Sequence, residues 1–155
     1  MNIIFSLKPW LQAIIAGFIT GLSFHPLNFG FFSWFSFVPL FHIFLISNLK
    51  QNLFNGYVFG LSFNLTAFYW IGSNSGADSL TVIGSLIAAT SYLAIFWLIG
   101  GFFFSFFPLE RRKESGSILF PFLIVSIEWF RSFGPLGFPW ANPVSYTHLT
   151  LPTKA

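Results

Sequence analysis

Polar interruptions divide the chain into five apolar blocks, at residues 10–24, 31–46, 53–71, 80–107 and 118–132. Inside these blocks no polar face recurs at the helical or the strand period, so they do not read as half-buried elements of a soluble core. A membrane-crossing helix needs about twenty apolar residues, with a floor near seventeen. The third and fourth blocks meet that length. The other three are short, and must borrow flanking residues or thin the bilayer locally. The first block, with Lys8 ahead of it, also has the outline of a signal peptide, but no small-x-small cleavage site follows, and His25-Pro26 stands there instead. The expected fold is an all-α membrane protein of about five transmembrane helices, with residues 1–143 forming one multi-helix membrane domain.

The basic residues give the expected orientation. Lys8 precedes the first block, Lys50 lies between the second and third, and Arg111-Arg112-Lys113 lies between the fourth and fifth. The connections around His25–Gly30 and Gly72–Ser79 carry no Lys or Arg, and the second carries Asp78. Cytoplasmic loops hold the excess of Lys and Arg, so the N-terminus is expected in the cytoplasm and the turn after the fifth block outside.

Composition narrows the class further. Of 155 residues 55% are hydrophobic and 7% charged, and the mean hydropathy is +0.75. A soluble domain needs roughly a quarter of its residues charged, so most of this surface is expected to face lipid. The seven basic residues are scattered, which leaves no electrostatic footprint for nucleic acid. The absence of cysteine removes disulfides, thiolate metal sites and any thiol nucleophile. No metal or other cofactor is expected.

Within the blocks, Gly17 and Gly21, and then Gly56 and Gly60, recur at four-residue spacing and predict close helix packing in lipid. Pro39 predicts a kink in the second helix. Ionisable residues in a span are costly and are default functional candidates. Here they are Glu128 and Arg131, whose spacing puts both on one helical face. Two readings stay open for them: a structural pair fixing the outer end of the fifth helix, or a device for handling a charged headgroup. His25 and His42 lack the neighbouring ligands of a metal site. Tyr69-Trp70 fits an interfacial aromatic belt. In Gly137-Phe138-Pro139-Trp140, Pro139 fixes the backbone and Gly137 frees it, which predicts a shaped turn. No Ser-based nucleophile elbow and no phosphate-cradling loop is present.

The order of these motifs resembles a known family. Gly21-Leu22-Ser23-Phe24-His25-Pro26 comes first, then Gly56-Tyr57-Val58-Phe59-Gly60 and Phe68-Tyr69-Trp70-Ile71. Glu128-Trp129-Phe130-Arg131 and Gly137-Phe138-Pro139-Trp140 follow. Over roughly residues 11–142 this is similar to the N-terminal membrane region of apolipoprotein N-acyltransferases in the bacterial inner membrane. The resemblance implies acyl transfer from a phospholipid to the N-terminal diacylglyceryl-cysteine of apolipoproteins. It also implies a periplasmic nitrilase-like domain bearing a Glu-Lys-Cys triad, whose Cys forms a thioester with the acyl chain. No triad residue maps onto this chain, and Glu128 matches the helix motif instead. The resemblance places Trp70, Glu128, Arg131, Phe138 and Trp140 on the lipid-substrate side of the site, with Arg131 positioned to attract a phosphate.

The resemblance breaks after Asn142. Residues 144–153 back-translate into a string that looks like the transposase-end adaptor of sequencing libraries, read in frame. Residues 144–155 are therefore expected to be read-through rather than family sequence, and the chain is expected to be an inactive fragment. Rival functions are a small membrane transporter, for which His42, Asn64 and Thr66 offer few lining groups, and a non-enzymatic membrane scaffold.

Overall fold

A computed structural model of the chain describes residues 6–24, 29–73, 76 and 78–133. All the regular elements among them are helical. Pro9 opens the first helix, α1 (Pro9–Leu22), where its missing N–H costs nothing. A 3₁₀ turn at Gly30–Phe32 feeds α2 (Ser33–Ile46), which carries Pro39 in its interior. Next comes α3 (Leu49–Phe68), opened by a capping box in which Asn48 and Gln51 each bond the other's backbone. A 3₁₀ turn, Tyr69–Ser73, ends that arm. Asp78 caps α4 (Ser79–Phe106), and Pro108 leads into α5 (Leu109–Arg131).

Two of these helices begin earlier than the apolar blocks do. The Asn48 capping box starts α3 four residues ahead of the expected block at 53, and Pro108 starts α5 nine residues ahead of the block at 118. Hydropathy follows side-chain polarity, whereas capping acts on backbone donors, so a polar first turn is helical without being apolar. By length and composition, α4 is the one described helix apolar enough to cross a membrane, while α1 and α2 are shorter apolar helices.

Contacts between side chains fix the directions of the helices. Gly17 of α1 lies against Phe59 and Ser62 of α3, and Gly21 lies one turn further along against Phe63 and Thr66, so α1 and α3 run parallel. Asn52 meets Ser105 while Gly60 meets Ala94, so α4 runs opposite to α3. Leu45 meets Gly116 and Phe41 packs on Phe120, so α5 runs opposite to α2. Helices α1, α3 and α5 therefore end together. That end carries the 29–32 and 69–73 turns, and the opposite end carries Lys8, Lys50 and Arg111 to Lys113.

Helix α3 is the centre of the bundle, with its most extensive contacts to α4 and then α1. Both glycine pairs lie in these seams. A Cβ on Gly17 would come within 2.5 Å of the Phe59 carbonyl oxygen, and one on Gly56 within 2.5 Å of that of Trp97. Helix packing is thus the role of the glycine spacing, as expected. Trp97 fills the seam and is only 1% exposed. Phe37 stacks on it at 5.8 Å, and Phe59 meets it edge-on at 4.8 Å.

Large apolar side chains cover the surface as well as the core, and several polar ones are buried. Gln12, Thr20, Asn52, Asn64 and Thr90 are buried, whereas Phe31, Trp34, Leu80, Phe106 and Phe122 are exposed. The hydroxyls of Thr20, Thr66, Thr90 and Ser105 donate to the carbonyl four residues back, so their polarity is spent within their own helices. Exposed apolar area on this scale suits lipid contact.

Candidate functional site

At the end where α1, α3 and α5 finish, the described charged residues are Asp78, Glu128 and Arg131. Asp78 is a helix cap: its carboxylate accepts the Thr81 N–H at 3.0 Å and the Thr81 hydroxyl at 2.7 Å. These bonds hold its carboxyl below the usual value.

Glu128 and Arg131 occupy the last turn of α5. Glu128 is 5% exposed and Arg131 1% exposed, so both are withdrawn from solvent and lipid. The helix brings them to one face, and the carboxylate lies close enough for its charge to act on the guanidinium. Burial of one charge without the other would be costly. A cation at a helix C-terminus also meets the negative end of the helix dipole. Behind the pair, Ile127 packs on Gly100 of α4, which anchors this turn in the bundle. The neighbours of the pair on the outer face, Trp129 and Phe130, are exposed and contact one another at 5.1 Å, and Trp129 meets Phe133 at 4.5 Å.

Of the other expected site residues, Trp70 lies at the same end, on the turn after α3, and is 45% exposed. Phe138 and Trp140 lie outside the described residues, as do His25 and the whole 134–155 segment. Among the described residues no cluster of His, Cys, Asp and Glu could hold a metal ion.

The opposite end holds a polar cluster that the sequence pattern did not reveal. Arg112, counted there only as a loop charge, is 7% exposed. Its Nε donates to the Phe107 carbonyl at 2.9 Å, and its Nη1 donates to the carbonyls of Phe44 at 2.9 Å and Ser47 at 3.0 Å. One guanidinium therefore closes the C-terminal ends of both α2 and α4. Asn52 joins the cluster by donating to the Ser105 hydroxyl at 2.8 Å and to the Phe44 carbonyl at 3.2 Å. A Pro-initiated helix with Arg in its first turn, directly after another helix, is the one sequence signal that hints at this.

A helical bundle with a lipid-suited surface, some polar side chains within its core and one charge pair buried at its charge-poor end is a helical domain of membrane type. The profile of the apolipoprotein N-acyltransferase N-terminal domain matches residues 16–154. The chain belongs to the apolipoprotein N-acyltransferase family. It is similar to the apolipoprotein N-acyltransferases of Geobacter metallireducens (29% identical over 153 residues, 94% of this chain and 28% of that one) and Methylococcus capsulatus (27% over 144 residues, 86% and 27%). The relative from Photobacterium profundum is 26% identical over 140 residues, 88% of this chain and 27% of that one. The chain spans little more than a quarter of the length of these curated relatives.

Proposed function

We propose that the chain is the N-terminal membrane part of an enzyme that moves an acyl chain from a phospholipid to the N-terminal diacylglyceryl-cysteine of an apolipoprotein. In this reading all five helices are embedded in the inner membrane, with the N-terminus in the cytoplasm. The end bearing Glu128 and Arg131 then faces outward. The observation that carries the reading is the burial of Glu128 and Arg131 together on the last turn of α5, at the end of the bundle poorest in charge. Such a pair costs several kcal/mol of desolvation per ion before it gains anything, which favours a role beyond packing.

Within this proposal Arg131 offers a fixed planar donor set for a phosphate or ester oxygen. Glu128, three residues earlier on the same face, supplies the balancing charge. Trp70 covers the acyl-bearing side from the turn after α3, the side to which the family resemblance also assigns Phe138 and Trp140. No covalent step is assigned to these residues. The thioester chemistry of the family needs a cysteine, and residues 1–155 contain none, so in this reading they do not carry out acyl transfer by themselves. The transporter alternative is disfavoured by the hydrogen bonding of its lining groups: Asn64 donates to the Gly60 carbonyl at 2.7 Å and Thr66 to that of Ser62 at 2.8 Å, inside their own helix.

Topology is tested by introducing single cysteines into this cysteine-free sequence at Asn48, Gly76 and Phe133. A membrane-impermeant maleimide applied to intact spheroplasts is expected to label the latter two and spare the first. The reverse pattern overturns the orientation. Function is tested by an apolipoprotein acylation assay on the full-length protein that carries this membrane part, with Arg131→Gln. Lost acylation with retained folding supports substrate handling, and unchanged acylation reduces the pair to a helix lock. Product from the 155-residue chain alone removes the claim of inactivity. Genomic sequence past the Asn142 codon decides whether residues 144–155, which the family profile overlaps, are adaptor read-through.

A further inference from the structure

A second lipid-facing feature lies toward the opposite end from Arg131. Helices α2 and α5 leave between them a cavity of about 250 Å³, lined by Phe37, Val38, Phe41, Ser117, Phe120 and Pro121. Val38 and Pro121 form an exposed rim, while Phe120 is buried as part of the floor and contacts Phe41 at 5.0 Å between ring centroids. Proline has no N–H, so Pro121 leaves the Ser117 carbonyl without its helical partner. The cavity thus has apolar walls and one polar corner, which is made by the Ser117 backbone and hydroxyl.

Lys113, Ser117 and Pro121 follow at intervals of four residues and share one face of α5. Successive members are about 6 Å apart along the axis. Read from the end of the bundle inward, this face runs from cation to hydroxyl to apolar cavity. Lys113 is exposed and its side chain leans toward the helix N-terminus, the direction in which a lysine snorkels to a membrane surface. The acidic neighbours Glu110 and Glu114 are exposed beside it, as is Arg111, whereas Arg112 is spent on the helix ends. The exposed charges on the first turns of α5 itself, Glu110, Arg111, Lys113 and Glu114, balance, which matches a zwitterionic headgroup lying against this helix better than an anionic one.

We propose that the α2–α5 cavity holds one acyl chain of a zwitterionic phospholipid from the leaflet at the Lys113 end. Its phosphate lies at Lys113, its ammonium at Glu114 or Glu110, and its glycerol ester region at Ser117. This lipid is a resident of the fold and differs in leaflet and place from the acyl donor assigned to the Arg131 end. The inference rests on the membrane reading above, because only a membrane-embedded groove of this kind meets acyl chains.

The test is native mass spectrometry of the 155-residue chain, released from detergent after incubation with phosphatidylethanolamine or phosphatidylglycerol vesicle lipid. Retention of one phosphatidylethanolamine is expected, with a fall of fivefold or more in both Ser117→Trp, which fills the cavity, and Lys113→Glu, which removes the cation. Both sites are exposed, so folding survives. Leu80→Ala, which trims lipid-facing surface on α4, is expected to leave retention unchanged. Equal retention in all variants, equal retention of phosphatidylglycerol, or a doubled protein mass with no lipid each overturns the proposal. The last outcome assigns the groove to a second copy. Alkaline carbonate extraction of the expressed chain separates the two failures: release from membranes overturns the membrane reading itself, whereas a membrane-retained chain without lipid in the groove overturns only the resident lipid.

Discussion

Two arginines sit near the two ends of α5, and both are buried, yet they do different work. Arg112 delivers its donors to three backbone carbonyls at the ends of α2 and α4. Arg131 lies beside a carboxylate on its own helix, at the other end of the bundle. A guanidinium bonded to helix termini is fully explained by structure, since the last carbonyls of a helix have no partner within it. A guanidinium balanced by a neighbouring acid is not, because two apolar residues would fill the same space at lower cost. Burial alone therefore does not separate a structural arginine from a candidate functional one. The identity of the partner does.

The largest effect is expected from breaking the second arrangement on one side only. Arg131→Ala leaves Glu128 buried without its cation and is expected to destabilise the bundle by about 3–5 kcal/mol. Removing both, as Glu128→Leu with Arg131→Leu, is expected to return stability to near that of the parent. Acylation by the full-length protein is expected to stay down by about ten- to a hundredfold, the worth of a charged hydrogen bond to substrate. Thermal unfolding in detergent and an acylation assay measure the two quantities. If the double variant regains activity along with stability, the pair is structural like Arg112.

Arg112 is expected to behave in the opposite way. Arg112→Ala removes charge-assisted bonds to the ends of two helices and is expected to cost about 3 kcal/mol, since such bonds contribute about 1.5–3 kcal/mol each before water or slack backbone compensates. Arg112→Lys keeps the charge but not the planar fork, so an intermediate loss is expected. No single second-site apolar substitution should rescue it, because the groups that lose a donor are backbone carbonyls. Unfolding midpoints of the two variants check this, and a neutral Arg112→Ala removes the contrast altogether.

The two arginines were also unequally legible in the sequence. The Glu128 to Arg131 spacing, inside an apolar block, marks that pair without any structure, and the fold adds that both are buried. Arg112 sits in a run of charges, and a run of charges ordinarily reads as a solvated turn. Its role depends on where Phe44, Ser47 and Phe107 place their carbonyls, which is tertiary information. The same limit explains the early starts of α3 and α5: Asn48 with Gln51, and Pro108, act through backbone donors that hydropathy does not register. The glycine pairs were readable because close helix approach has a sequence period, whereas the Phe37–Trp97 stack has none.

A smaller effect is expected at Trp70, which shares the Arg131 end but is nearly half exposed. Trp70→Ala should leave the unfolding midpoint unchanged. In the full-length protein it should raise KM by about two- to tenfold, the range of a single aromatic contact, with kcat kept. That split distinguishes substrate contact from structural support, since a residue that merely held the fold would lower stability first.

The smallest expected effect concerns Asp78, the remaining described charge at the Arg131 end, which accepts two hydrogen bonds from Thr81. Its hydrogen bonds to Thr81 hold the folded carboxyl below the unfolded value of 3.8. The cap's contribution is therefore fully present above that value and is lost as pH falls through the lower folded pKa. Asp78 is fully exposed, so the loss is small. Asn caps a helix without titrating, which makes Asp78→Asn the natural reference. Unfolding midpoints between about pH 6 and about pH 2 should fall slightly more for the parent than for Asp78→Asn, with the difference confined to the acid end. Parallel curves for the two proteins would show that the start of α4 is held by packing rather than by the cap. Asp78 would then join the exposed charges of no structural consequence, leaving Glu128 and Arg131 as the one charged feature among the described residues of that end that affects the protein.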